Sequence, residues 1–136
     1  MKTSMLLLSA LLLSACSSVP VSPSAAYRVP ADRMVSHGTP AEGTLPIVIT
    51  RDSGLGASAC ATAISIDGAV AAYIRQGEVV TLHVPPGQII VGAEPAGICP
   101  GNLTEVDATI GRGKPAHFRV SIGPGGYPVI QRTAAR

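Results

Sequence analysis

Aromatic side chains are nearly missing from this 136-residue chain, which has one phenylalanine, three tyrosines and no tryptophan. That leaves no platform on which bases could stack. With 13% charged residues and a net charge of +2, there is also no basic patch to hold a phosphate backbone. Nucleic acid is therefore not an expected partner. The three cysteines include no Cys-x-x-Cys, and no histidine stands close in sequence to Cys60 or Cys99, so the usual redox and zinc spacings are lacking. His37, His83 and His117 are far apart, with no i, i+2 or i+4 pair to chelate a metal. Neither a metal nor another cofactor is expected.

What is present at the amino-terminal end is a short leader. Met1 and Lys2 precede the uncharged run Met5-Leu6-Leu7-Leu8-Ser9-Ala10-Leu11-Leu12-Leu13, and small residues follow up to Cys16. A basic start, a brief apolar stretch and a small-residue cleavage site make an export signal. A membrane-spanning helix needs roughly 20 apolar residues, whereas Ser17, Ser18, Pro20, Ser22, Pro23 and Ser24 follow at once. Leu13-Ser14-Ala15-Cys16 resembles the lipobox of bacterial lipoproteins. The resemblance implies cleavage before Cys16, a diacylglycerol on its thiol and acylation of the new amino terminus. Several acyl chains, at about 0.8 kcal/mol per buried methylene, hold far more firmly than one. Ser17 after the cysteine, where Asp would signal retention, implies the periplasmic face of the outer membrane of a Gram-negative bacterium. Residues 1–15 are thus expected to be a signal peptide.

With Cys16 lipidated, Cys60 and Cys99 remain, and an exported pair in an oxidising compartment forms a disulfide. Removing Lys2 with the leader leaves nine Lys and Arg of the original ten against eight Asp and Glu, close to balance. Residues 16–43 are rich in Ser, Pro, Ala and Gly, with Pro20, Pro23, Pro30 and Pro40 interrupting any regular element. They are expected to form a lipidated tether. Within it, Tyr27 to Arg33 is the one patch suited to docking on the domain or on a partner.

Residues 44–136 have the size of one domain. From Leu45 onward the chain has eleven Ile and nine Val against four Leu, and Gly or Pro recurs every few residues. Such β-branched runs fit strands, and no stretch holds helical periodicity. Strands are expected at Leu45 to Arg51, Ala61 to Asp67, Ala69 to Arg75, Glu78 to Val84, Gln88 to Glu94, Asn102 to Ile110, Ala116 to Ile122 and Tyr127 to Arg132. Asp67-Gly68 is a two-residue hairpin signal, Pro85-Pro86-Gly87 a sharp turn and Gly111-Arg112-Gly113-Lys114 a glycine-rich one. Ile64, Ile66, Val80, Leu82, Val84, Ile89, Val91, Phe118 and Val120 are the expected core. The predicted fold is all-β, a small antiparallel β-sandwich of the immunoglobulin or transthyretin kind with seven to eight strands and one disulfide.

Ile64-Ser65-Ile66-Asp67-Gly68, Gly77-Glu78-Val79-Val80-Thr81-Leu82 and Val84-Pro85-Pro86-Gly87-Gln88 together resemble the strand and turn pattern of PEGA-like domains. The pattern is also similar to that of small proteobacterial lipoproteins of unknown function. Pro-Pro-Gly-Gln stands where the namesake Pro-Glu-Gly-Ala is expected. The resemblance implies a β-fold envelope module and brings no catalytic residues with it.

Other constellations point the same way. Gly54-Leu55-Gly56-Ala57-Ser58-Ala59 has dinucleotide-loop spacing but lacks the helix that would hold a pyrophosphate. Gly111-Arg112-Gly113-Lys114 fails the phosphate-loop spacing, with Pro115 in place of the magnesium-binding hydroxyl. No Gly-x-Ser-x-Gly elbow is present, and Glu105 and Asp107 read as a solvated strand face. The chain is therefore expected not to be an enzyme. It is expected to be a lipid-anchored protein-interaction or structural module of the cell envelope with an envelope protein as partner; the alternative is a periplasmic inhibitor or small-ligand binder. The disulfide is expected to join two interaction loops, one with Arg51, Asp52, Ser53 and Leu55 and the other with Pro95 and Ile98.

Overall fold

The structure, a computed structural model, describes residues 18–134. The expected signal peptide, residues 1–15, and Cys16 lie outside the described residues. Among the described residues nine strands follow in order: β1 (Tyr27–Arg28), β2 (Leu45–Arg51), β3 (Thr62–Ile66), β4 (Ala69–Ile74), β5 (Glu78–Val84), β6 (Gly87–Pro95), β7 (Thr104–Ile110), β8 (Ala116–Ile122) and β9 (Pro128–Thr133). A 3-10 turn, Ala31–Arg33, lies between β1 and β2. The strands form two sheets, ordered β1-β5-β2-β8-β9 and β4-β3-β6-β7, which pack as a β-sandwich.

Turn chemistry sets the local path. Asp67 and Gly68 have φ of 49° and 83°, the pair of positive values that a two-residue hairpin of matching twist needs. The Asp67 carboxylate also accepts the Ile90 N–H at 2.8 Å, tying the β3–β4 turn to β6. Alternation then fills the space between the sheets: Ile47 and Ile49 of β2, Val80, Leu82 and Val84 of β5, and Phe118 and Val120 of β8 meet Ile64, Val91 and Ile110 of the other sheet. All nine expected core residues are buried.

Three features depart from the expectation. A ninth strand, β1, is only two residues long and lies in the proline-rich segment. Two pairings, β1 with β5 and β2 with β8, are parallel, the other five being antiparallel. The β2–β8 pair is parallel because β7 ends in one sheet and the chain crosses at residues 111–115 to the other. It enters there from the same end as β2. The third departure is residues 18–43, which run along the sandwich instead of leaving it.

Their hydrogen bonds explain why. Tyr27 N–H and Val29 N–H donate to Gly77 and Val79 carbonyls beside β5, and Val35 and Ser36 N–H donate to the Ala71 carbonyl of β4. His83 N–H of β5 then donates to the His37 carbonyl at 2.8 Å. The segment therefore passes from one sheet to the other and back. Arg33 clamps this crossing, with Nη1 donating to the Tyr73 carbonyl of β4 and, at 2.8 Å, to Glu78 of β5. Residues 27–37 lace together the sheet edges that β4 and β5 would otherwise leave open.

Candidate functional site

The carboxyl ends of β2, β4, β6 and β8 and the amino ends of β3, β5, β7 and β9 lie at one end of the sandwich. Loops 53–61, 75–77, 96–103 and 123–127 meet there. Cys60 and Cys99 form the disulfide, with Cα atoms 6.2 Å apart, so the two loops expected to meet do meet. Beneath it a recess of about 220 Å³ is lined by Arg51, Cys60, Thr62, Cys99, Gly126 and Pro128 among others. The 96–103 loop is seated tightly on its neighbours. A Cβ on Gly101, whose φ is +148°, would lie 2.4 Å from Pro95 Cγ and 2.7 Å from Tyr127 Cβ.

Arg51 and Asp52 do not form an accessible edge, which corrects the expectation for both; they are 1% and 2% exposed. Arg51 continues the inward face of β2 after Ile47 and Ile49, so its guanidinium is buried. Nη1 donates to the Cys60 and Ile74 carbonyls at 2.7 and 3.1 Å, and Nη2 to the Ala57 carbonyl at 3.0 Å. Nε has no partner. Burial pulls its pKa below the usual arginine value, with the charge of Glu78 opposing. The side chain is thus the frame on which the 57–60 turn is folded.

Asp52 faces the other side of β2. It accepts Arg119 Nε at 2.8 Å, with Nη2 completing a two-pronged pair. The hydrogen bond to Asp52 raises the Arg119 pKa against burial, and the charge of Asp52 adds to it. The Ser18 hydroxyl also donates to Asp52, at 2.8 Å, and Val19 and Ser53 exchange backbone hydrogen bonds at 2.8 and 3.0 Å. Neither Ser18 nor Val19 was marked by any sequence pattern, because their partners lie 34 residues away.

Ser53 and Pro95 are half-buried. Leu55 and Ile98, by contrast, are 80% and 102% exposed, and Leu103 is 48% exposed. Three large aliphatic side chains thus stand in solvent on the two loops that the disulfide joins.

A second recess lies on the outer face of the five-stranded sheet. It is a groove of about 740 Å³, with Arg28, Val48, Thr81, His83 and His117 among its lining residues and no carboxylate. His117 is opposite Val48 and His83 opposite Pro46, two strands and two residues apart. Their Cα atoms are then about 12 Å from each other, too far to share a metal. Among the described residues no group of three or more His, Cys, Asp or Glu could hold a metal ion. Glu105 and Asp107 are exposed on β7. Residues 54–59 form turns that run into β3, not a helix.

These features define a disulfide-stapled β-sandwich with an apolar, loop-built end. No protein-family model, curated protein or solved structure matches this chain.

Proposed function

We propose that this protein is a lipid-anchored envelope lipoprotein, held by Cys16 on the periplasmic face of a Gram-negative outer membrane, whose β-sandwich is a non-catalytic interaction and structural module. Its contact surface is the disulfide-tied end. The observation that carries this reading is the exposure of Leu55 and Ile98 on loops tied down by Cys60–Cys99 and by Arg51. Apolar side chains held in solvent on loops tied to the sandwich favour a contact surface, since exposed aliphatics gain free energy only when something covers them. The likeness to PEGA-like lipoproteins and the lipobox-like Leu13-Ser14-Ala15-Cys16 supports the envelope address.

Mild crosslinking in native membranes, compared with a Cys16→Ala protein, tests the reading. Contacts made through the Leu55 and Ile98 loops and lost without the anchor are the expected result. Unchanged contacts after Leu55→Asp and Ile98→Asp would count against it.

A second reading, a periplasmic inhibitor or small-ligand binder, is favoured by the groove with Arg28, His83 and His117. Its cationic and imidazole groups suit a carboxylate-bearing ligand. Saturable binding of a dicarboxylate that is lost in Arg28→Ala is what this reading expects.

A further inference from the structure

Two ends of the sandwich differ sharply in chemistry. The disulfide-tied end, made of loops 53–61, 75–77, 96–103 and 123–127, has a single charged side chain, the exposed Arg75. Leu55, Ile98 and Leu103 are exposed there. At the opposite end, loops 38–44, 67–68, 85–86 and 111–115 expose Glu42, Asp67, Arg112 and Lys114. One end is therefore apolar with one cation, and the other is charged with both signs.

The start of the described chain lies at the apolar end. Ser18 donates to Asp52 and accepts the Ile122 N–H at 3.4 Å, and Val19 pairs with Ser53, two residues before Leu55. Covalent geometry keeps the Cα of Cys16 within about 7.6 Å of that of Ser18, since consecutive Cα atoms are about 3.8 Å apart. Residues 18–43, which a tether would need as slack, are folded along the sandwich. An acyl anchor on Cys16 would consequently emerge beside the disulfide loops, with no length available to hold the domain off the bilayer.

We propose that the surface covered by the disulfide-tied end is the lipid bilayer itself, with Leu55 and Ile98 entering its interfacial layer beside the acylated Cys16. This rests on the lipid-anchored reading above and names the partner of that same end. An interface layer accepts aliphatic side chains together with a cation, and anionic headgroups attract Arg75. The charged end then points into the periplasm.

The test places photoreactive benzoylphenylalanine at Leu55, Ile98 or, as a control at the far end, Arg112, in the full lipoprotein within native membranes. All three positions are exposed, so the fold is retained; an intact disulfide by mass confirms it. After irradiation, phospholipid adducts at positions 55 and 98 are expected at about tenfold the yield at 112, as for side chains that leave water. Adducts to a protein instead, equal yields at the three positions, or no adducts at 55 and 98 would overturn the bilayer contact. A protein adduct would leave the interaction-module reading intact. Intact mass separates the two failures: a chain without acyl groups on Cys16 removes the anchor reading, and the bilayer contact with it.

Discussion

Asp52 shows how much one side chain organises. Its carboxylate, with no solvent exposure, is matched by the Arg119 guanidinium and the Ser18 hydroxyl. Removing Arg119 leaves the Asp52 charge without its partner, but the guanidinium is 31% exposed, so water screens the loss and the cost falls below the roughly 3–5 kcal/mol of a fully buried pair. Arg119→Ala is therefore expected to lower the urea midpoint by the equivalent of about 1–3 kcal/mol, and Arg119→Lys to recover only part of it, because an ammonium lacks the two-pronged geometry. A midpoint within error of the wild type for Arg119→Ala would refute the assignment. Arg51 was expected on an interaction loop and is buried instead; its place two residues beyond Ile49 on one strand face was a signal left unread, and only the folded 57–60 turn reveals the carbonyls that receive it. Its neighbour Asp52 gave no such signal, since its partner Arg119 is 67 residues away.

Among the elements, the segment 27–37 contributes most beyond what its composition suggests. Burial pushes the Glu78 carboxyl up, but the Arg33 hydrogen bond, the Arg75 N–H and both arginine charges outweigh it and leave the pKa lowered. A carboxyl depressed by folding adds stability that is full above its unfolded pKa, about 4.3, and lost as pH falls through the lower folded value. Thermal midpoints of the wild type should therefore fall below about pH 4, while Glu78→Gln starts lower at neutral pH and shows a shallower acid limb. Parallel acid limbs for the two proteins would dismiss the clamp. Hydrogen exchange checks the lace independently: the amides of Val29, Val35 and His83 should be protected, whereas a solvated tether leaves those of Val29 and Val35 to exchange freely. Leu45–Arg51, Glu78–Val84 and Ala116–Ile122 were legible residue for residue, because β-branched alternation and flanking Gly or Pro are local signals. Tyr27–Arg28 was not, since a two-residue strand has no period to read.

For the whole molecule, the disulfide closes a separation of 39 residues, worth about 4 kcal/mol in the chain-entropy estimate. In a domain whose total stability is of the order of 5–15 kcal/mol, the Cys60→Ser/Cys99→Ser protein should unfold at a much lower urea midpoint. An unchanged midpoint would show that the aliphatic core suffices. The same covalent tie keeps Leu55 and Ile98 on one end, where Ser18 and Val19 dock against Asp52 and Ser53. Eight of the nine strands, the nine core positions, the Asp67-Gly68 hairpin and, with Cys16 set aside, the cysteine pair could be read from the chain, because each depends on side-chain alternation, turn dihedrals or a count. Only folding fixed the parallel β2–β8 neighbours, the lacing of the seam, the burial of Asp52 and the docking of Ser18 on Asp52 and Ile122. Those rest on backbone and charged groups that find partners across the sheets, and a backbone N–H or carbonyl is the same donor or acceptor in every residue but proline.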